Sequence, residues 1–281
     1  MQFGIWYLEF EISLLSYRIM KKLIHYLNQF KALRLAAYCS LCTLALSLLG
    51  LIVDDRILLG ENVWLKPMKF GISITIFCIT VAWLLAITPY SKNVKKRLDS
   101  ILGWTLVIEF PLVLVQAFRG VRSHFNMDTA FDGIIFGSMG ILIFINSLAL
   151  LFLFGTAFVR KLDTYAAMQK AIQFSGIAMI VSMVAGQIMI SNMGHSVGVS
   201  DGGEGLPVTK WSTEGGDWRA VHFLGMHAFQ LLPLLVYFLK DKLKVGSLNK
   251  IVWISGVLYI GVILFIFWRT SNGIPLIATE P

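Results

Sequence analysis

Charged residues are scarce in this sequence and unevenly placed along it. Asp, Glu, Lys and Arg make up 14% of the 281 residues, whereas hydrophobic residues make up 57%, more than the roughly 45–50% usual in soluble domains. The charges fall in short clusters between long apolar runs, which is the pattern of a polytopic membrane protein. The net charge is +8, but no basic domain exists, so nucleic acid is excluded as a partner.

The sequence also lacks two attachment points that covalently bound cofactors need. Only three cysteines are present and none stands in a C-x-x-C-H stretch, so any haem would be held non-covalently. No lysine lies in the middle of an apolar run, which excludes a retinal Schiff base.

Seven apolar runs predict an all-α fold, an integral membrane seven-helix bundle. Each run has about 19–27 residues, enough to cross a hydrocarbon core of roughly 30 Å at 1.5 Å per residue. Lipid offers the backbone no hydrogen-bond partners, so such runs are helical. The predicted spans are Leu35–Val53, Phe70–Thr88, Ser100–Phe118, Gly133–Val159, Ala171–Ser191, Arg219–Leu239 and Ile251–Trp268. They divide the chain into an N-terminal segment (1–34), the seven-span domain (35–269) and a tail (270–281).

The distribution of lysine and arginine predicts the orientation of the bundle. With the N-terminus in the cytoplasm, 16 of the 24 basic residues lie on the cytoplasmic side and 8 lie outside, as the positive-inside tendency requires. Seven spans then place the C-terminal tail on the extracytoplasmic side, and segment 1–34 is cytoplasmic or interfacial.

The first nineteen residues do not have the pattern of a signal peptide, because they lack a basic start and Glu9 and Glu11 interrupt the apolar run. Two interpretations remain open. The segment is an amphipathic interfacial helix, or the native chain begins at Met20.

Polar side chains collect in the extracytoplasmic half of the predicted bundle. Four of the five histidines, all except His25, map to that half. Glu109 lies near mid-depth in the third span, two residues before Pro111. Ionisable residues inside a membrane are costly and usually face a bundle interior or a wet cavity. We therefore predict a polar site that opens outward, with Glu109 as a proton donor or acceptor.

His124, His222 and His227 are the candidate ligands of a haem or a metal ion. His222 and His227 are five residues apart, or about 140° around a helix, so they cannot easily bind one metal together. One histidine of this span with another from elsewhere, such as His124 or His195, suits haem iron or copper better. Simpler roles remain open: a helix–helix hydrogen bond for His227, an interfacial position for His222, and solvated loops for His124 and His195.

Lys66, Lys69, Arg119 and Arg122 are basic residues on the predicted outer side. Cations at a helix N-terminus oppose the helix dipole, so Lys66 and Lys69 do not stabilise the helix that they begin. They predict an acidic partner, such as a lipid phosphate, a carboxylate or a haem propionate. The alternative is internal pairing with Asp128, Asp132 and Asp217.

Three stretches carry a resemblance to a known family: WLKPMKF (64–70), QAFRGVRSHFN (116–126) and HFLGMHAFQLLPL (222–234). They are similar to signature stretches of uncharacterised bacterial multi-pass membrane proteins that have no known activity. The resemblance covers about residues 35–240 and implies a multi-pass protein of the bacterial inner membrane.

Three functions are compatible with these features. The first is a membrane protein that binds haem or a metal in the extracytoplasmic half and is redox-active. The second is a proton-coupled transporter or sensor of a small anion. The third is an enzyme that acts on lipid headgroups, so the pattern leaves open whether the protein is an enzyme at all.

Overall fold

The computed structural model describes residues 20–278, and seven long helices dominate that part of the chain. All seven are long and apolar enough to cross a membrane, which confirms the predicted all-α, multi-pass architecture. The proposed role of residues 1–19 lies outside the described residues. In chain order the helices are α1 (Lys31–Val53), α2 (Leu65–Ile87), α3 (Lys92–Arg119), α4 (Ala130–Val159), α5 (Ala166–Ser191), α6 (Trp218–Leu239) and α7 (Val245–Ser271).

Several helices begin well before their apolar runs. α3 begins at Lys92 instead of Ser100, and α7 begins at Val245 instead of Ile251. At α3 the hydroxyl of Ser91 accepts a hydrogen bond from a first-turn N–H, so the basic segment that follows Ser91 is helical. Hydropathy marks where lipid would touch the chain, whereas helical hydrogen bonding continues into the polar ends.

The connections between the helices form two opposite faces. The loop-rich face comprises residues 54–64, 120–129, 192–217 and 272–278, and the basic face comprises residues 88–91, 160–165 and 240–244. The loop-rich face contains two short antiparallel hairpins. They are β1 (Ile57–Leu58) with β2 (Glu61–Asn62), and β3 (Ser196–Val197) with β4 (Gly216–Asp217).

The helices form two groups that meet along α4. α1 packs on α2 and α3, α3 packs on α4, and α5, α6 and α7 pack on one another. In the half nearer the basic face, the bundle centre is filled by aromatic rings. Phe154 of α4 meets Phe229 of α6 edge to face at 4.8 Å, and Trp83 of α2 stacks on Phe229 at 6.2 Å. The polar residues discussed below therefore lie mainly between this aromatic layer and the loop-rich face.

Asp99 fixes the start of α1 against α3. It is 6% exposed, and its carboxylate oxygens accept hydrogen bonds from the N–H groups of Ala32 (3.2 Å) and Leu33 (2.9 Å). These are first-turn donors that have no partner within the helix. We expect Asp99→Ala to lower the free energy of unfolding by about 2 kcal/mol, because two buried N–H groups lose their acceptor.

The measurement is thermal or denaturant unfolding of the purified protein, followed by tryptophan fluorescence. Asp163→Ala is the matched control, since Asp163 is exposed at the basic face. Equal losses of stability in the two variants would contradict a capping role for Asp99.

Candidate functional site

Trp64 fixes the start of α2 at the loop-rich face. Its indole N–H donates a hydrogen bond to Asp54 at 2.8 Å, and its backbone N–H donates to the side-chain oxygen of Asn62 at 2.9 Å. Its ring packs edge to face on Phe118, near the end of α3, with ring centres 4.8 Å apart. The ends of α1, α2 and α3 are thereby held together, and Lys66 is placed in the first turn of α2.

Lys66 is the central charge of the candidate site. Its charge acts on Glu109, His124 and His195. The charges of Glu61, Lys69, Arg122 and Arg219 act on Lys66 in turn. Among residues 20–278, no carboxylate lies within salt-bridge distance of its ammonium group. Charged and titratable side chains from α2, α3, α6 and three loops are thus near enough to interact electrostatically with a cation that has no salt-bridge partner among those residues.

Two of the predicted anion-binding residues are paired within the protein. The ammonium of Lys69 lies 2.7 Å from a carboxylate oxygen of Glu61, which the β1–β2 hairpin brings back over α2. The guanidinium of Arg119 lies 2.5 Å from Asp132, and the same carboxylate accepts a hydrogen bond from Gln116. Arg119 is thus paired with one of the three aspartates that the sequence offered, whereas Lys69 is paired with Glu61, which was not among them.

Arg122 and Arg219 complete the basic surroundings of Lys66. Among the residues that the structure describes, Arg122 has no carboxylate within salt-bridge distance. Arg219, in the first turn of α6, is bound by Asp217 through Nη2 at 2.6 Å and through Nε. The sequence interpretation did not select Arg219, although it stands on the same predicted outer side as Arg119 and Arg122.

A polar network ties the loop of residues 192–217 to the start of α6. Asp217 accepts hydrogen bonds from the N–H groups of Ser212 and Arg219, both at 2.9 Å. Nδ1 of His195 lies 3.1 Å from Asp201 and 4.0 Å from Asp217. Burial and the charge of Arg219 lower the pKa of His195, although the two aspartates act in the opposite direction. The loop is thus held at the start of α6 and carries a neutral imidazole at neutral pH.

Glu109 is the deepest acid near Lys66. It is 5% exposed, and no donor among residues 20–278 forms a hydrogen bond with it. One turn nearer the basic face, Thr105 is bonded to Asn146 of α4 at 2.7 Å. One turn nearer the loop-rich face, Val113 packs in a small apolar cluster with Met139 of α4. Glu109 is therefore a buried carboxyl group that lacks a local partner, and Lys66 is the charge that acts on it.

His124 follows α3 and lies among aromatic rings, not in a solvated loop. Its ring centre is 5.8 Å from that of Phe70 and 6.5 Å from that of Phe136. Its Nδ1 lies 3.0 Å from the hydroxyl of Ser123. Burial lowers the pKa of His124 well below its usual range, and the charge of Lys66 lowers it further. His124 is thus a neutral polar group at the side of Lys66.

The three histidines that the sequence offers as candidate metal ligands have separate surroundings. Nδ1 of His222 lies 2.9 Å from the backbone carbonyl oxygen of Ser182, in the contact between α5 and α6. His227 packs on Phe223 with ring centres 4.1 Å apart. Within residues 20–278, no group of three or more His, Cys, Asp or Glu side chains is arranged to hold a metal ion. His124, His222 and His227 are therefore not assembled as a metal site.

A stretch that sequence reasoning overlooked, GHSVG (194–198), has the G-x-S-x-G spacing of a hydrolase nucleophile elbow. Ser196 lies in β3, paired with Asp217 of β4, whereas the elbow is a turn between a strand and a helix. The hydroxyl of Ser196 and the carboxylate of Asp201 both approach Nδ1 of His195. A proton relay needs the two partners on opposite ring nitrogens, so these three residues do not form a catalytic triad.

The fold defines the class of protein: a polytopic helical membrane protein with seven helices long and apolar enough to span a membrane. Comparison with known proteins finds no family model, no curated protein and no solved structure that matches the chain. Its function is therefore inferred from its own residues.

Proposed function

We propose that this protein binds a small anion, or an acidic group of the same chemistry, at Lys66, and that it is a transporter or sensor of that anion. The observation that carries the proposal is the unpaired ammonium of Lys66. The positive charges of Arg122, Arg219 and Lys69 repel that of Lys66, although Glu61 partly offsets the charge of Lys69 and Asp217 partly offsets that of Arg219. A bound anion removes that repulsion and supplies Lys66 with a partner.

Glu109 supplies the proton-binding group of this proposal. An ionisable residue inside a span without a local partner is a candidate for proton uptake, and Glu109 has this character. Pro111 in α3 and Pro233 in α6 interrupt the helical hydrogen bonding beside the polar residues, as in the broken helices of many transporters. These features favour proton-coupled uptake over a purely structural cluster.

The haem or metal hypothesis has weaker support. Each of the three candidate histidines has a different neighbour: Phe70 for His124, Ser182 for His222 and Phe223 for His227. The three imidazoles therefore do not share one set of surroundings. A pair of imidazoles is enough to hold a haem iron. A Soret absorbance band in the purified protein, or a stoichiometric metal content, would favour this hypothesis over the anion proposal.

The positive-inside bias supports an orientation with the N-terminus in the cytoplasm, and the resemblance to bacterial multi-pass proteins supports a location in a bacterial inner membrane. In that orientation the loop-rich face, with Lys66 near its surface, is extracytoplasmic. Anions would then enter the site from outside the cell.

The proposal is tested by isothermal titration calorimetry of the purified protein with nitrate, formate, inorganic phosphate and a soluble short-chain phosphatidylglycerol. We expect at least one of these to bind. We expect Lys66→Met to weaken binding by at least about 30-fold, because loss of one partner of a desolvated charge pair costs 2 kcal/mol or more.

Lys250→Met is the matched control, since Lys250 is exposed in α7 near the basic face, and binding should not change. Binding of the phospholipid alone would identify a lipid headgroup as the source of the anion and would favour the lipid-enzyme hypothesis. Failure of all four compounds to bind, or equal binding by Lys66→Met, would refute the proposal.

A further inference from the structure

A cavity of about 300 Å³ lies at the basic face, where the start of α5, the end of α6 and the start of α7 meet. Its polar lining residues are Tyr165, Lys240, Asp241 and Asn249. The volume is at the lower end of the roughly 300–1,000 Å³ typical of small-molecule sites, so it suits a compact polar group better than a large cofactor.

The cavity lies at the depth of the lipid headgroups. α6 has 22 residues, which span about 33 Å at 1.5 Å per residue, whereas the hydrocarbon core is roughly 30 Å thick. Lys240 directly follows α6, so it lies beyond the hydrocarbon, among the phosphate groups of the bilayer. The headgroup of a phospholipid is therefore the ligand with the most direct access to this cavity.

The charged lining of the cavity is one cation and one carboxylate. Nζ of Lys240 lies 2.7 Å from a carboxylate oxygen of Asp241 and 5.3 Å from the centre of the Tyr237 ring. An ammonium group has three donors and a carboxylate accepts several hydrogen bonds. The side chain of Lys240 is 29% exposed and that of Asp241 is 80% exposed, so both keep positions for a ligand. A headgroup that carries a phosphate and an ammonium group matches this pair charge for charge.

Neutral hydrogen-bonding groups complete the lining. Among residues 20–278, the hydroxyl of Tyr165 and the side-chain amide of Asn249 form no hydrogen bond. Ala166 and Ala167 also line the cavity. Their N–H groups belong to the first turn of α5, which has no side-chain cap, and such donors favour phosphate oxygens. These groups add to the attraction that Lys240 exerts on a phosphate.

We propose that this cavity binds the headgroup of a phospholipid of the phosphatidylethanolamine class. The phosphate accepts hydrogen bonds from Lys240 and from the hydroxyl of Tyr165, and the primary ammonium group donates to Asp241. The site is separate from the anion site at Lys66, because the two lie at opposite faces of the bundle.

Anionic headgroups are the rivals of this ligand. Lys242, Lys244 and Lys250 stand near the cavity in the chain and are exposed, and such charges attract any anionic lipid. That attraction is screened by salt and does not need Asp241. An anionic headgroup without an ammonium group would place a second negative charge beside Asp241. The role of Asp241 therefore distinguishes the two classes of lipid.

The experiment is a titration of the purified full chain, followed by native mass spectrometry, with phosphatidylethanolamine, phosphatidylcholine and phosphatidylglycerol of identical acyl chains. We expect phosphatidylethanolamine to have the lowest Kd, because phosphatidylcholine has no N–H to donate and phosphatidylglycerol has no cation. Lys240→Met and Asp241→Asn should each raise that Kd about fivefold, the scale of a partly exposed ion pair. Asp241→Asn should not weaken the binding of phosphatidylglycerol.

Lys242→Met is the matched control, since Lys242 is exposed in the same loop but does not line the cavity, and the Kd should not change. Equal Kd values of the three lipids for the unmodified protein would overturn the inference without any variant. An unchanged Kd of phosphatidylethanolamine in Asp241→Asn would also overturn it. Lys66→Met should bind this lipid as the unmodified protein does, and a loss of binding there would place the lipid at the loop-rich face and contradict the assignment.

Discussion

Gly103→Ala should lower the free energy of unfolding by at least about 3 kcal/mol, the largest effect that we expect from a single added methyl group in this protein. A Cβ at this position of α3 would overlap the backbone of Ala32 and Leu33 in α1. Backbone atoms cannot rotate away as a side chain does, so α1 would have to separate from α3. That separation would also stretch the hydrogen bonds from α1 to Asp99.

The matched control is Gly137→Ala in α4, where an added Cβ has no atom within 4 Å. This variant should leave stability unchanged or raise it by up to about 1 kcal/mol, because alanine is the better helix former. Thermal unfolding of both variants in the same detergent measures the difference. If Gly103→Ala is as stable as the unmodified protein, the close approach of α1 and α3 is wrong.

Asp217→Ala should lower the free energy of unfolding by about 3 kcal/mol, because it leaves the largely desolvated guanidinium of Arg219 without its counter-ion. The same substitution removes the acceptor of the Ser212 N–H and the cap of α6. The loop of residues 192–217 should therefore loosen at the start of α6. Faster tryptic cleavage after Lys210, whose carbonyl oxygen accepts a hydrogen bond from Arg219, measures this loosening independently of unfolding.

Asp128→Ala is the control on the same face, since Asp128 is exposed and forms no ion pair among the residues that the structure describes. Its unfolding midpoint and its cleavage rate at Lys210 should match those of the unmodified protein. A cleavage rate in Asp217→Ala that equals the control would show that the loop is held by other contacts.

The number and approximate limits of the spans could be predicted because they depend on local properties. A long apolar run must be helical in lipid whatever surrounds it, and the seven runs correspond to α1–α7. The first turns of α3 and α7 lie outside the predicted spans, because hydropathy does not report backbone hydrogen bonding. For α2, the predicted span begins at Phe70, but Lys66 and Lys69 were already placed at the start of that helix, where the structure has them.

The pairing of the charged residues could not be predicted in the same way. Lys69 meets Glu61 because the β1–β2 hairpin reverses the chain. Strands of only two residues are too short to be recognised from a sequence pattern. Arg119 meets Asp132 across the loop between α3 and α4. Asp132 was already named as an internal alternative, but charge alone did not distinguish it from Asp128.

The surroundings of the histidines could not be predicted from the sequence either. His222 and His227 were correctly assigned to one helix, and their angular separation argued against a shared metal. His222 faces Ser182 because of the way α6 is rotated against α5, whereas His227 packs on Phe223, four residues earlier in the same helix. His124 was predicted in a loop and is in one, but its aromatic surroundings come from α2 and α4.

The sequence by itself determined that this is a seven-span helical membrane protein and how far along each span its polar residues lie. Both follow from the free energy of transferring side chains to lipid and from a rise of 1.5 Å per residue. Only the tertiary structure decided that, among the described residues, Lys69, Arg119 and Arg219 are paired with carboxylates and that Lys66 is not. These relations depend on the rotation and neighbours of each helix, which packing between distant parts of the chain sets.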